Sequence, residues 1–569
     1  MASTGILRSR RSAAQLHAIA SVEREIRAND HAGGRKYLRD FREAYRSYEK
    51  VLEPSEVLGA IGNAETVLIG DYHALPNSQR SVARLLRGPE LRQRPIALGV
   101  ETIFSRDQHI LDEWSRREID EAELRQRIRF DLDWGYEWAP FYELLAAARD
   151  RDAVIYGLDC MPREDLRKIG ARDRHAADGI AEMRRRHPEA LIMVLFGESH
   201  LAPEHLPALV QQRLPEERLL IMLQNVDDLY WHAAGEVGDQ VEAVQVRENV
   251  LCVFNATPLE KYENYRLCLD RWRRNDDDDN DSAPDAPDLG PTLYNLIEGM
   301  VRFLGINQYS PHNTTQPRLL VDLMPEVYSR NSDALLRRLL SRKGFTAEQR
   351  RSLLRQVRER GSVYLAPINA VYVRQFHMTS SAEDATRFLH QACRGLPNLV
   401  QVRAAQAGPG AAGAELDGDD AFYVTVFEHA LAFFGSRILH PARPAVRDGD
   451  VAELFEVTRE DLEQQTALAF GDAVEALDFL VQHRGTAGGA TGGAAAGASS
   501  GGPVGAPRFS GRKYEYVTQQ LGSLIGTDLY DAYLEGRLTT AALRKLFLTH
   551  IELPGVARET CGLLRDRLR

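Results

Sequence analysis

The sequence predicts an α/β domain in the N-terminal half, with a mostly parallel sheet flanked by helices, followed by a helix-rich accessory region. Short apolar, β-branched runs alternate in that half with longer segments of helical periodicity, as parallel strands joined by helices do. The predicted strands are 66–69, 96–100, 153–158, 191–196 and 219–223. Because these runs are apolar along their whole length, we expect the sheet to be buried on both faces.

Segments with apolar residues at helical spacing lie between and after these strands. In the first half, the predicted helices are 12–51, 78–86, 108–117, 121–129, 138–149, 164–186 and 204–212. In the second half, they are 292–304, 335–340, 347–360, 382–393, 514–521, 527–534 and 540–548. The apolar segment 422–434 is compatible with either a buried strand or a buried helix, since periodicity does not separate the two.

Two segments of biased composition divide the chain. Residues 276–288 contain seven Asp and two Pro, and residues 485–507 consist only of Gly, Ala, Ser, Thr, Val and Pro. Neither segment has enough apolar surface to offset the entropy of ordering, so both are predicted to be linkers. The predicted organisation is a helical extension (1–52), the α/β domain (53–274), an acidic linker (275–290), a helix-rich domain of unknown role (291–484), a Gly/Ala linker (485–508) and a C-terminal helical unit (509–569).

Net charge and composition restrict the class of protein. The 569 residues carry 71 Lys and Arg against 82 Asp and Glu, which gives a net charge of −11. This acidity argues against a general nucleic-acid binder, although it leaves room for a local basic patch. The five Cys are widely spaced without a CxxC pair, so neither a disulfide framework nor a cysteine-rich zinc site is expected.

Signals for export or membrane insertion are not evident in the sequence. No apolar run approaches the ~18–20 residues that a membrane-spanning helix needs. The N-terminal stretch MASTGILRSRRSAAQLHAIASVEREI has basic residues, but an apolar core of the secretory kind does not follow them. We therefore expect a cytoplasmic protein without a membrane span.

Polar residues of a few chemical types stand at the ends of four predicted strands. They are Asp71 and His73, Glu101, Asp159, and Glu198 and His200. In an open parallel sheet, ligands bind beyond the carboxyl ends of the strands, so these residues should share one crevice. Two imidazoles and several carboxylates can bind a divalent metal or carry out acid–base chemistry. Asp71 and Glu198 are also compatible with a simpler role, bonding backbone N–H groups at the start of the next helix.

Two further segments invite a functional interpretation alongside a structural one. The stretch from Trp134 to Tyr142 is rich in aromatics, which are expected to pack in the core but could also form a wall for a flat ligand. Asp173, Arg174 and His175 lie within a predicted helix, where we expect them to form a solvated face.

Six motifs in this order resemble the ChaN-like haem-binding uptake family, which is related to the Tiki proteases and the erythromycin esterases. They are GDYH (70–73), GVE (99–101), WGYEWAPFYELL (134–145), YGLD (156–159), RDRHAADGI (172–180) and GESHL (197–201). The resemblance covers about residues 50–260 and implies an α/β fold whose crevice carries the paired GxxH histidines. The positions that match the family's site are His73, Glu101 and His200, while Asp71 stands where many relatives have Glu.

The resemblance implies two ligand chemistries and leaves three functions open. The first function is binding of haem, or of a similar flat metal-containing molecule, with Tyr72, Trp134 and Tyr136 beside the two histidines. The second is hydrolysis by His73, Glu101 and His200, either by acid–base chemistry or with a divalent metal that Asp71 and Glu198 help to hold. The third is a non-catalytic interaction protein. The expected partner is a small molecule or haem rather than nucleic acid, and the oligomeric state is left open.

Overall fold

The computed structural model describes residues 15–27, 36–91, 94–161, 169–236, 241–277, 287–306, 323–329, 332–394, 418–484, 509 and 511–568. The chain divides into two compact units. We call Ile19–Pro287 the sheet unit, and Met1–Ala18 together with Asp288–Arg569 the helical unit. The predicted linker 485–508 and most of the predicted linker 275–290 lie outside the described residues. The predicted domain boundaries therefore stay a prediction.

The sheet unit is built on an eight-stranded sheet in the order β1-β7-β8-β6-β2-β5-β3-β4. Its strands are β1 (Lys50–Leu52), β2 (Thr66–Asp71), β3 (Ile96–Phe104), β4 (Val154–Asp159), β5 (Leu191–Gly197), β6 (Leu219–Gln224), β7 (Ala243–Arg247) and β8 (Val250–Val253). The strands from β8 to β4 in this order pair in parallel. β7 pairs antiparallel with both β8 and β1. The predicted α/β class with a mostly parallel sheet is confirmed.

Helices cover both faces of this sheet, and each face has its own apolar core. The helices are α1 (Lys36–Ala44), α2 (Pro54–Asn63), α3 (Pro76–Arg87), α4 (Gln108–Ser115), α5 (Glu121–Arg127), α6 (Phe130–Asp133), α7 (Trp138–Arg149), α8 (Ile169–Arg186), α9 (Leu206–Arg213), α10 (Asp227–Glu236) and α11 (Pro258–Asp277). Every residue of β2, β3, β5 and β6 is buried, which explains their continuous apolar sequence. Pro76 stands in the first turn of α3, where its missing N–H costs nothing.

The helical unit consists of helices and one small sheet within the described residues. Its helices are α12 (Gly290–Leu304), α13 (Asp333–Arg342), α14 (Ala347–Arg360), α15 (Met378–Arg394), α16 (Gly418–Leu439), α17 (Asp448–Glu453), α18 (Arg459–Thr466), α19 (Phe470–Arg484), α20 (Gly511–Leu534), α21 (Thr540–Phe547) and α22 (Val556–Leu568). The strands β9 (Glu326–Ser329), β10 (Ser362–Leu365) and β11 (Ala370–Val373) pair in the order β10-β11-β9. The predicted helix-rich character of this region is confirmed.

Several elements differ from the sequence prediction for identifiable reasons. The predicted helix over 12–51 is wrong at its end, because α1 stops at Ala44 and Val51 lies in β1. The ambiguous segment 422–434 is part of α16, and 514–521 and 527–534 belong to one helix, α20. The strands β7 and β8 were not predicted: the apolar run of β7 is interrupted by Gln245, and β8 is only four residues long.

The described helices include none that is both long enough and apolar enough to cross a membrane.

Candidate functional site

The order of the strands brings the predicted site residues together. β2 and β5 are neighbours with Asp71 opposite Gly197, and β3 lies on the other side of β5. In this arrangement the Nε2 atom of His73 is 3.6 Å from Oε2 of Glu101, and the Nε2 atom of His200 is 3.9 Å from Oε1 of the same carboxylate. The two imidazoles therefore flank a single carboxylate. We call His73, Glu101 and His200 the central triad.

His73 is the accessible member of the central triad. Its side chain is 20% exposed, whereas those of Glu101 and His200 are 4% and 5% exposed. The Nδ1 atom of His73 is 2.8 Å from Oδ2 of Asp71, and the other oxygen of Asp71 accepts a hydrogen bond from Gln79. A neutral ring that donates Nδ1–H to this carboxylate leaves Nε2 with a lone pair that can take up a proton.

His200 repeats this pairing on the buried side of the site. Its Nδ1 atom is hydrogen bonded to Oδ1 of Asp173, and the hydroxyl of Tyr37 donates to Oδ2 of Asp173 at 2.9 Å. The ring of His200 also packs edge-on against Phe196, with ring centroids 5.0 Å apart. His200 is thus oriented by a carboxylate that is itself fixed by a second hydrogen bond.

Hydrogen bonds from Arg172 and Gly197 reach both oxygens of Glu101. Nη2 of Arg172 donates to Oε1 of Glu101 at 2.6 Å, and its Nε donates to Asp159 at 2.7 Å. The backbone N–H of Gly197 donates to the other oxygen of Glu101 at 2.6 Å. Burial alone would raise the pKa of Glu101, but the neighbouring His73, His200 and Arg172 and the bond from Gly197 lower it to about 2. Glu101 is therefore ionised at neutral pH.

Because Gly197 has no side chain, the three side chains of the central triad can approach one another beside it. A Cβ atom at this position would lie 3.1 Å from Oε2 of Glu101, 3.2 Å from Nε2 of His73 and 3.3 Å from Cδ2 of His200. All three contacts are tighter than usual for a Cβ atom, so any larger residue would push the triad apart. This explains the glycine that ends β5, directly before Glu198.

Glu198 makes contacts different from those of the triad. Its carboxylate lies 3.3 Å from Nζ of Lys261, a residue of α11 that sequence reasoning did not single out. Burial raises the pKa of Glu198 against the opposing effect of Lys261. Nζ of Lys261 also lies 4.4 Å from the ring centroid of Tyr72, whose ring in turn packs edge-on against that of Tyr265 at 6.0 Å.

Aromatic rings pack around His73. The ring centroids of Trp134 and Tyr136 lie 4.5 and 5.3 Å from that of His73. Trp272 of α11 packs against Tyr136 at 5.2 Å, and its Nε1–H donates to the carbonyl of Gly135 at 2.8 Å. Trp134 and Tyr136 are therefore near the site as the sequence suggested.

Two residues of α8 belong to the site although the sequence interpretation did not assign them to it. The expectation of a solvated face over 173–175 is wrong for Asp173, which is fully buried, whereas Arg174 is exposed. A signal was available, because Arg172 and Asp173 lie three or four residues before Ala176 and Ala177 on the buried stripe of α8. A charged pair on an apolar stripe requires buried partners.

Among the described residues, no group of three or more His, Cys, Asp or Glu side chains has the arrangement of a metal site. The divalent metal thus remains a hypothesis.

The low pKa of Glu101 has a consequence for stability. A carboxyl whose pKa is lower in the folded than in the unfolded chain stabilises the fold above its unfolded pKa and loses that contribution as the pH falls through its folded pKa. Replacing Glu101 with Gln should therefore lower the free energy of unfolding most near pH 7, by roughly 3 kcal/mol. The difference from wild type should shrink between pH 4.5 and about 2. Urea unfolding at several pH values measures this difference in the free energy of unfolding. The control is Glu248→Gln, at an exposed position. A difference independent of pH would contradict the assigned charge of Glu101.

Comparison with known proteins adds one finding to this geometry. Residues 57–193 match the family model described as haem-binding uptake, Tiki superfamily, ChaN. This segment is ChaN-like. The match includes β2 to β4, with His73, Glu101 and Arg172, and it ends before His200. No curated protein sequence matches the chain.

Two solved structures are similar to parts of the chain at low sequence identity. One describes cofacial haem binding to ChaN of Campylobacter jejuni, with 12% identity and a TM-score of 0.24 over 31% of this chain and 87% of that one. The other is the type III effector HopBA1, with 13% identity and a TM-score of 0.25 over 37% of this chain and 97% of that one.

Proposed function

We propose that the sheet unit carries out acid–base hydrolysis at the central triad. The observation that supports it is the arrangement of two carboxylate–imidazole pairs around one ionised carboxylate, Glu101. Each imidazole has its Nδ1 next to an aspartate, Asp71 for His73 and Asp173 for His200. A carboxylate at Nδ1 fixes the tautomer of the ring and stabilises its protonated form, which is what a general base needs.

His73 is the general base in this proposal, because it is the accessible imidazole. Its Nε2 would remove a proton from a water molecule as the water attacks the substrate, and the imidazolium that forms would be stabilised by Asp71. The same proton would then pass to the leaving group. Glu101 is a weak proton acceptor, since its pKa is lowered to about 2, and it serves to hold the two imidazoles and balance their charge.

A second candidate function is binding of haem or a similar flat molecule. It is favoured by the family to which residues 57–193 are similar and by the rings of Trp134 and Tyr136 beside the accessible His73. A haem between the two histidines does not fit these residues, because Glu101 occupies the space between the Nε2 atoms. A flat ligand would instead pack against the aromatic side, where His73 and the two rings would hold it.

One set of variants separates the two candidates. The full chain, His73→Ala and His175→Ala are each tested for hydrolysis of p-nitrophenyl acetate and for a Soret shift on titration with haem. His175 is the control because it is a half-buried histidine of the same unit whose ring bonds to Ser105. We expect His73→Ala to lower the hydrolysis rate by about 10²–10⁴-fold and His175→Ala to leave it within a few-fold. A wild-type rate in His73→Ala would overturn the hydrolase proposal, and a Soret shift that requires His73 without hydrolysis would favour the haem candidate.

A further inference from the structure

A helix–turn–helix lies in the helical unit. α13 and α14 are joined by a four-residue turn in which Gly344 has a φ of 82°, a conformation that glycine adopts without strain. Thr346 precedes α14 and forms a capping box with Gln349. The side chain of Thr346 accepts a hydrogen bond from the backbone N–H of Gln349, and the side chain of Gln349 accepts one from the backbone N–H of Thr346. A short turn containing glycine between two helices is the connection found in DNA-binding helix–turn–helix units.

The apolar side of this hairpin is already covered. Leu336 and Leu340 of α13 pack with Leu354 and Val357 of α14, and with residues of β10 and β11, in a small core. The charged residues of both helices lie outside that core.

The remaining surface of the two helices is strongly basic. Residues 333–360 contain nine basic and three acidic residues, and eight of the nine basic residues are Arg. Three of the arginines are engaged, Arg358 with Asp333, Arg355 with Glu515 and Arg360 with Glu383. The other six basic residues have no carboxylate within salt-bridge distance among the described residues. Arg350 is half-buried and donates to the carbonyl of Phe345, whereas the remaining five are exposed. They are Arg337, Arg338, Arg342, Lys343 and Arg351. We call these five residues the basic face.

We propose that the basic face binds double-stranded DNA. Cations on two consecutive helices can contact phosphates on the two sides of a groove, and the B-form major groove is wide enough to admit a helix. The deep and narrow major groove of double-stranded RNA does not admit one. Arginine dominates the face, and its planar guanidinium bonds phosphate oxygens and the edge of guanine through paired N–H groups.

The acidity of the whole chain does not conflict with this proposal. The net charge of −11 is spread over 569 residues, whereas the field near a surface is set by charges within about one Debye length, ~8 Å at physiological salt. A membrane surface is the competing partner of similar charge. Leu335 is the large apolar residue exposed beside the basic face, and Phe345 in the turn packs against the small core instead of being available for insertion among lipids.

Fluorescence anisotropy of the full chain with a labelled DNA duplex of about two helical turns tests the proposal. Five phosphate contacts predict that the affinity falls about 500-fold when salt rises from about 50 to about 200 mM. The variant Arg338→Gln, Arg342→Gln, Arg351→Gln should leave about two contacts, so the fall should shrink to about 10-fold and the affinity at low salt should be much lower. Replacing the same three residues with Lys should restore most of the binding and so excludes misfolding as the cause.

The matched control removes three exposed arginines from the sheet unit, by Arg116→Gln, Arg185→Gln and Arg186→Gln. It changes the net charge equally and should bind DNA as the wild type does. Equal loss in both variants would overturn the assignment to the basic face. The proposed partner would be overturned if the protein did not bind the duplex at low salt. It would also be overturned if the protein bound only phosphatidylserine vesicles and the basic-face variant lost that binding.

Discussion

Replacement of Arg172 with Met is expected to lower the free energy of unfolding of the sheet unit by about 3–5 kcal/mol. The side chain of Arg172 is 6% exposed and is bonded to both Glu101 and Asp159. Met has a similar length but no charge, so the variant would leave two buried carboxylates without their cation. Breaking a buried pair by removing one partner is far more costly than the pair's own contribution, because the remaining charge stays out of water.

Tryptophan fluorescence during urea unfolding measures this loss selectively. All five Trp of the chain lie in the sheet unit, at Trp114, Trp134, Trp138, Trp231 and Trp272. The control is Arg174→Met, two positions away on the same helix, where the side chain is exposed and the expected change is within about 0.5 kcal/mol. Equal effects of the two substitutions would show that Arg172 does not hold the carboxylates.

The sequence was sufficient to predict the part of the site that lies at the ends of buried strands. Apolar runs ending in GDYH and GESH identify β2 and β5 together with the polar residues that follow them. Parallel pairing then dictates that the ends meet, which the structure bears out for His73, Glu101 and His200. The position of Glu101 differs from the prediction in one respect. The strand β3 continues to Phe104, so Glu101 lies inside the strand and not after its end. The pairing register of β3 and β4 shifts between Val100 and Phe104, where Glu101 lies.

The residues that orient the triad could not be predicted in the same way. The apolar stripe of α8 indicates that Arg172 and Asp173 are buried, but their pairing with Glu101 and His200 depends on how α8 packs, which the sequence alone does not specify. Trp272 and Lys261 come from α11, whose polar composition gave no apolar stripe to predict from. Each is near the site only because of tertiary packing between residues that are 27 to 137 positions apart in the sequence.

The buried charges of the site are unusual for a purely structural core. Glu101, Asp159, Arg172, Asp173 and His200 are all buried within one region of the sheet unit. Apolar residues of similar volume are often as stable or more stable in such positions. A cluster that is costly to bury and places an accessible imidazole at its edge is therefore typical of a site selected for chemistry rather than for stability.

The double substitution His73→Ala, His200→Ala is expected to abolish hydrolysis of p-nitrophenyl acetate down to the rate without protein. Residues that act as a unit are not additive, so His73→Ala alone should come close to this result. His200→Gln should retain more activity, because Gln keeps similar bulk and can still hydrogen bond to Asp173. The matched control is His175→Ala, His232→Ala, which removes two histidines of the same unit away from the triad and should leave the rate within a few-fold.

The comparison of these variants separates a chemical role from a structural one. Loss of activity counts only where the tryptophan fluorescence and the urea midpoint stay near the wild-type values, since the histidines would otherwise be required for folding. His73 lies at the partly exposed edge of the site, so its removal should cost little stability, whereas the buried His200 should cost more. A folded double variant with the full wild-type rate would show that the triad is not the catalytic site, however closely its three side chains approach one another.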